Sequence, residues 1–353
     1  MRIKAKRMIL IIVVCIVVYL VAGAIGPFIK YKDVSSQTAE EFRADSFRSS
    51  EAGTDRALLL ETSESALEHR IRLINGAKTR IILSTFDMRN GESTKDLLSV
   101  IWHKAEEGVK VQILVDGVSG LIRMEPDPLF HAVASHPNIQ IKIYNPVNPL
   151  MPWKTQGRMH DKYVIVDDSA YILGGRNTFD YFLGDYDSKN KSLDREVLIY
   201  NTAQGEENSG ESSLFQVEAY FNRVWNLDVC RLFHDDEGQQ KKKRIQKQME
   251  LLEARYQELR EKQEGLFDNA YDYTAHTCAA NRIRLVSGLI GIYGKEPDIF
   301  YTLTELMKQA QERVVIHTPY VVTKEYMNGT LAEIVDTVSQ VKKVINFGAN
   351  VDN

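Results

Sequence analysis

His160-Asp161-Lys162-Tyr163-Val164-Ile165-Val166-Asp167, followed by Gly174-Gly175-Arg176-Asn177, is the stretch on which the reading of this chain turns. Its pattern is H-x-K-x-x-x-x-D with G-G-x-N behind it. Lys162 to Val166 has the apolar, β-branched character of a buried strand, and Tyr171-Ile172-Leu173 leads a second apolar run into the glycines. Side chains two apart on a strand leave the same face of a sheet, so His160 and Lys162 are predicted to stand side by side. Outward from this point, helix and strand patterns alternate. Ala66 to Ala77 reads as a helix and Arg80 to Ser84 as a buried strand. Leu97 to Glu107 reads as a second helix closed by Gly108, and Val109 to Val115, Ile139 to Tyr144 and Val197 to Tyr200 read as further strands. Such alternation predicts an α/β fold, a mixed sheet flanked by helices.

The residue types define the chemistry. A neutral imidazole at His160 can attack phosphorus and form a phosphohistidine. Lys162 beside it neutralises phosphoryl oxygens, whose negative charge grows during displacement. Asn177, presented by the Gly174-Gly175 turn, donates an amide hydrogen bond to the same oxygens, and glycines there permit close backbone approach. A nucleophilic histidine needs its second nitrogen oriented. Asp194, in Leu193-Asp194-Arg195-Glu196-Val197, is the candidate, with Glu196 as the fallback. Asp167 is expected to face away from Lys162 and to bond backbone. No metal or other cofactor is expected: His160-Asp161 matches a dipeptide of metal-dependent phosphohydrolases, but no further ligands gather around it and Lys162 would repel a cation. The remaining histidines, His69, His103, His131, His136, His234, His276 and His317, read as surface, satisfied or core residues.

The chain has 353 residues, a net charge of -4 and 44% hydrophobic composition, room for two domains with real cores. No overall basic field points to nucleic acid as a partner. Met8 to Ile29 is an uncharged apolar run of 22 residues, and about 20 residues suffice to cross a bilayer core. Arg2, Lys4, Lys6 and Arg7 precede it, which keeps the N-terminus cytoplasmic and places the remainder outside. An uncleaved single-pass anchor in the cell membrane is the reading; Ala22-Gly23-Ala24 leaves a cleaved signal peptide as the alternative. Of the three cysteines, Cys15 lies in the apolar run, and Cys230 and Cys278 are the pair an exported domain offers for a disulfide.

Residues 30–57 read as a polar linker. Between Lys241 and Glu264, Ile245, Met249, Leu252, Tyr256 and Leu259 recur at 4-3-4-3 spacing in a charged background, which predicts one long amphipathic connector helix. The Lys241-Lys242-Lys243-Arg244 run reads as its solvated start. Ala77 to Thr85 then aligns without a gap on Ala310 to Thr318 at an offset of 233. Val109-Lys110-Val111 likewise finds a counterpart in Val341-Lys342-Lys343-Val344. A second unit of the same design therefore begins near the C-terminus. A partner of His160 at that offset would fall near position 393, beyond Asn353, and Phe347 to Asn353 does not resemble the first copy at that point.

On these residues the chain resembles the phospholipase D superfamily. Gly174 to Phe182 together with Asp194 to Ile199 is most similar to its bacterial cardiolipin synthase branch. The resemblance implies a phospholipase D-like fold: one complete domain over 58–235, an anchor at 1–29, a connector at 236–268 and an incomplete second domain over 269–353. It implies a phosphatidyl group passed from a phospholipid to water or an alcohol, without a metal. It also implies that two similar domains each give one His, Lys and Asn to a shared site, with His160 as nucleophile or general acid. With one copy of the motif, a homodimer pairing His160 with its symmetry mate completes the site. The alternatives are a truncated, catalytically incomplete remnant that at most binds phospholipid, and, third, a nuclease.

Overall fold

The computed structural model describes residues 2–30, 32–186, 190–268, 270–288, 290–293, 296–318, 324–338 and 340–345. Nine of the described strands form one sheet: β1 (Asp55–Leu60), β2 (Arg80–Thr85), β3 (Lys110–Asp116), β4 (Ile139–Tyr144), β5 (Tyr163–Val166), β6 (Ala170–Gly174), β7 (Glu196–Asn201), β8 (Cys230–Leu232) and β9 (Cys278–Ala279). Their order across the sheet is β8-β4-β3-β2-β5-β6-β7-β1-β9. β2, β3 and β4 run parallel, and the other neighbours pair antiparallel. The sheet is mixed and flanked by helices, the α/β architecture expected from the sequence.

Strand alternation divides the core. Ile81 and Leu83 of β2 face one side with Val111, Ile113, Val164 and Ile172, whereas Ile82 faces the other with Leu114, Tyr163, Ile165 and Tyr171. The first face is covered by the Ser63–Asn75, Glu92–Glu106 and Pro128–Ala134 helices, the second by the Leu214–Trp225 helix. Thr62 caps the first of these helices, its hydroxyl accepting the Ser65 N–H. Gly108 follows the C-cap Glu107 at φ +95°, a left-handed position that suits glycine at a helix end.

The charged Lys243–Lys262 helix buries Ile245, Leu252, Tyr256 and Leu259. It packs on the Glu92–Glu106 and Pro128–Ala134 helices. Arg255 ties it down through Asp96 at 2.5 Å and Glu92 at 3.1 Å. A continuous Arg2–Ile25 helix is long and apolar enough to cross a membrane. Near the other end, helix Asp298–Lys308, β10 (Arg313–Thr318), helix Glu325–Thr337 and β11 (Gln340–Ile345) follow one another, with β10 and β11 parallel. That is the order and pairing of the first helix, β2, the second helix and β3. Phe347 to Asn353 and the side chain of His317 lie outside what is described.

Three expectations change. β1 starts at Asp55, inside the segment read as linker, because the Asp55 carboxylate is buried and accepts the hydroxyls of Ser212 and Ser213. Helices Pro128–Ala134 and Leu214–Trp225 and strands β8 and β9 are additions to the elements read from sequence. Cys230 and Cys278 are free, because they sit on β8 and β9, at opposite edges of the nine-stranded sheet, out of reach of a disulfide.

Candidate active site

β5 runs antiparallel to β2 with Tyr163 opposite Ser84, so the chain enters β5 at the edge where the parallel strands end. His160 and Lys162 arrive there together. The buried Asp116, at the end of β3, sets their approach by accepting the Met159 N–H at 3.0 Å and the Arg158 guanidinium at 3.3 Å. Antiparallel pairing of β5 with β6 then returns Gly174 to this edge, its N–H bonding the Lys162 carbonyl at 3.2 Å. Three residues later comes Asn177. Its Oδ1 accepts the Asp87 backbone N–H at 3.0 Å, which fixes the amide orientation and leaves the NH2 group as a donor.

The imidazole of His160 is exposed and packs edge-on against Phe86, ring centroids 4.8 Å apart. Lys162 is buried, with its Nζ 5.7 Å from the same ring and donating to the His160 carbonyl at 2.8 Å. Burial pushes the Lys162 ammonium down to about 8, against the opposing pull of Asp161, Asp194 and Glu196. Partial desolvation of the imidazole, which Phe86 covers on one side, and then the Lys162 charge hold His160 below its ordinary 6.5. Near neutrality the pair is therefore a neutral imidazole beside a cation, the protonation states needed by a nucleophile and by a clamp for phosphoryl oxygens.

Asp194 lies close to this pair, but its carboxylate accepts the Ser192 hydroxyl at 2.8 Å, and no hydrogen bond joins it to His160. Glu196 is taken by Arg70 through two bonds of 2.7 and 2.8 Å. The glycine pair has a steric reason within the protein. A Cβ on Gly174 would come 2.4 Å from Glu196 Cγ, and one on Gly175 3.1 Å from Asp194 Cγ. Glycine there lets β6 close on the segment carrying both carboxylates.

Asp167, at φ +48°, accepts the N–H groups of Lys78, Thr79 and Arg80 and the Thr79 hydroxyl at 2.6–2.9 Å. Burial raises its carboxyl, but these bonds outweigh burial and hold it below the usual carboxylate range. It locks the β5–β6 turn onto the start of β2. Asp167→Ala is expected to cost about 2–3 kcal/mol in denaturant unfolding, through loss of the charge-assisted bonds from three backbone N–H groups and one hydroxyl. Because the folded pKa is depressed, this contribution is present above the ordinary carboxylate pKa and lost as pH falls below it.

Phe86 and Asp116 were missed because only strand pairing brings them here; the apolar run before Phe86 marks β2 but says nothing of its neighbour. Tyr220 was missed as well, and it donates to Asp161 at 2.8 Å from the Leu214–Trp225 helix. Elsewhere, Glu125, His131 and His234 offer ligand atoms within 4.8 Å of one another, the type of set that holds a metal ion. Here they are closed on themselves: His234 donates to the Glu125 carboxylate and His131 to its carbonyl, the latter at 2.8 Å.

His160 and Lys162 thus stand together at one edge of a mixed α/β sheet, and Asn177 follows β6 at the same edge. Residues 70–225 match the family model described as cardiolipin synthase, PLD-like domain. A protein of Helicobacter pylori (strain ATCC 700392 / 26695) is 35% identical over 150 residues, which are 39% of this chain and 29% of that one. Cardiolipin synthase C of Escherichia coli K12 is 29% identical over 136 residues, 35% of this chain and 28% of that one. The matched region thus spans less than a third of either relative. The structure of phosphatidylserine synthase from Haemophilus influenzae Rd KW20 shares the fold, with a TM-score of 0.53 at 16% identity over 86% of this chain and 62% of that one. Residues 70–225 are thus a PLD-like domain similar to those of the cardiolipin synthase family.

Proposed function

We propose that this chain is a membrane-anchored phosphodiesterase or phosphatidyl transferase acting on phospholipid through a phosphohistidine at His160. The observation that supports it most is the convergence of a neutral imidazole, a buried ammonium and a free amide donor at one open edge. The name of the E. coli relative supports a lipid substrate. In the first step the imidazole nitrogen bonds to phosphorus as the ester bond to the leaving alcohol breaks. In the second, water or an acceptor alcohol attacks the phosphohistidine, giving its proton to the group that protonated the leaving alcohol in the first step, and the imidazole is freed. Lys162 and Asn177 hold the phosphoryl oxygens in both.

A general acid is needed for the leaving alcohol, and His160 of a second copy, related by a two-fold axis and kept protonated by the negative charge of the phosphodiester bound between the copies, supplies it. Residues 269–353 are read as the start of a second unit of the same design. The Arg2–Ile25 helix is read as an uncleaved anchor with the domain outside the cytoplasm. The reconstituted full chain, given phosphatidylglycerol vesicles, should release glycerol with cardiolipin, or with phosphatidate when water accepts. Absence of both products above a His160→Ala background would overturn the reading. Cleavage of single-stranded DNA without lipid turnover would move the substrate class to nucleic acid.

The pKa directions also give a pH profile. The nucleophile must be neutral and His160 is held below 6.5, so the acid limb of kcat/KM should be centred below that value. Lys162 must be charged and loses its proton at about 8, so kcat/KM should fall through that pH. A bound phosphodiester adds negative charge, so the basic limb of kcat should lie higher. Lys162→Arg should remove that limb, because a guanidinium keeps its proton beyond about pH 12.

A further inference from the structure

The edge that carries His160 is also where several large apolar side chains stand in the open. Val118, Leu121 and Ile122, in the segment after β3, are 36%, 53% and 54% exposed. Leu150 and Met151, after β4, are 78% and 37% exposed, and Leu193, before β7, is 75% exposed. Strand order sets the first five on one side of β5 and Leu193 on the other. Apolar groups therefore stand on both sides of the site rather than lining a groove within it. Arg123 and Lys154 set cations next to these groups in sequence.

The same edge touches the Arg2–Ile25 helix. The Tyr19 hydroxyl donates to the Leu150 carbonyl at 2.8 Å, and the Tyr19 ring meets Trp153 edge-on at 6.5 Å. Gly23 lies so close to Pro152 that a Cβ would come 2.5 Å from its ring. Tyr19 precedes the helix end at Ile25 by six residues, about 9 Å at 1.5 Å per residue. Apolar faces that lie in a membrane interface are buried to about 5–10 Å. A helix with the length of a bilayer span thus reaches the exposed Leu150–Trp153 loop at interfacial depth.

We propose that this edge docks into the surface of a lipid bilayer, with Val118, Leu121, Ile122, Leu150, Met151 and Leu193 entering the headgroup and acyl boundary. His160 and Lys162 then face the headgroup layer, and a phosphodiester reaches them from the membrane plane. The docking stands on the apolar rim and the helix contact; only the identity of what enters rests on the phospholipid reading above. Cations beside the rim favour an anionic leaflet.

Fluorescence quenching by brominated lipids tests this on the full chain in phosphatidylcholine–phosphatidylglycerol vesicles. Trp102 and Trp225 are buried, so the native quenchable signal belongs to Trp153. Ile122→Trp and Leu193→Trp add reporters at exposed positions, and Tyr19→Trp reports on the helix. Brominated acyl chains should quench the reporters at 122 and 193 by about twofold, close to Tyr19→Trp, as for side chains at interfacial depth. Quenching of Tyr19→Trp without quenching at 122 and 193 would overturn the proposal, and so would a helix reporter that is itself unquenched. No turnover is read, so quenching without lipid products would remove the substrate assignment and leave the docking in place.

Discussion

His160→Ala is expected to abolish both turnover and an acid-labile phosphoenzyme, while Lys162→Ala leaves a measurable residue of each. The difference follows from what each group contributes. Without the imidazole nitrogen no bond to phosphorus forms, so the covalent route has no first step. Without the ammonium the route survives but loses one preorganised partner for the phosphoryl oxygens, which costs about 100- to 1,000-fold. Rapid quench of the reconstituted chain with phospholipid labelled at phosphorus reads both quantities. Phosphoenzyme in the His160→Ala chain would show that another residue is the nucleophile. Residual turnover in Lys162→Ala equal to that of the intact chain would show that the buried ammonium does not reach the phosphate. Lys162→Met adds an independent reading. A buried ammonium held down at about 8 is disfavoured by its surroundings. Its replacement by an apolar side chain should raise the melting temperature, by about 2–4 °C for roughly 1 kcal/mol of relief, even as activity falls.

What the sequence carries plainly is what depends on short separations. Alternation along β5 puts His160 and Lys162 together, and the spacing to Gly174 and Asn177 matches one hairpin, so the core of the site is legible in a single stretch. The buried strands at Arg80 to Ser84 and Ile139 to Tyr144 show as apolar runs for the same reason. What does not show is whatever is made by strands distant in sequence. Phe86 lies beneath His160 only because β2 and β5 are neighbours. Gly174 and Gly175 read as a turn that permits close backbone approach, and the atoms they make room for belong to Glu196 at the start of β7 and Asp194 just before it. Asp194 is near enough to influence Lys162, but the local Ser192 hydroxyl claims it, a competition that spacing alone does not reveal. β1 was hidden in a polar stretch because its first residue, Asp55, is buried against serines more than 150 positions away.

Glu196 gives the second large effect, and it links the frame to the chemistry. Arg70 and Glu196 form a two-bond ion pair with side chains 4% and 0% exposed, and Arg176 stands 3.6 Å from the same carboxylate with its side chain fully buried. Glu196→Ala leaves two guanidinium groups without their buried counter-charge, and breaking such a pair costs about 3–5 kcal/mol. Denaturant unfolding of the detergent-solubilised chain should show that loss. Exchange of both partners, Arg70→Met with Glu196→Leu, should recover part of it, because apolar replacement removes the desolvation penalty along with the attraction. Glu196→Gln retains shape and acceptor capacity and isolates the charge. Glu196 is one of three carboxylates that raise the Lys162 pKa against the effect of burial. Without that charge the ammonium loses its proton at lower pH, and the basic limb of kcat/KM should move below about 8. A Glu196→Gln chain that is folded but has an unmoved basic limb would mean that the limb reports a group other than Lys162. A limb that moves down, together with its disappearance in Lys162→Arg, would tie the buried pair at the start of β7 to the protonation of the residue that holds the phosphate.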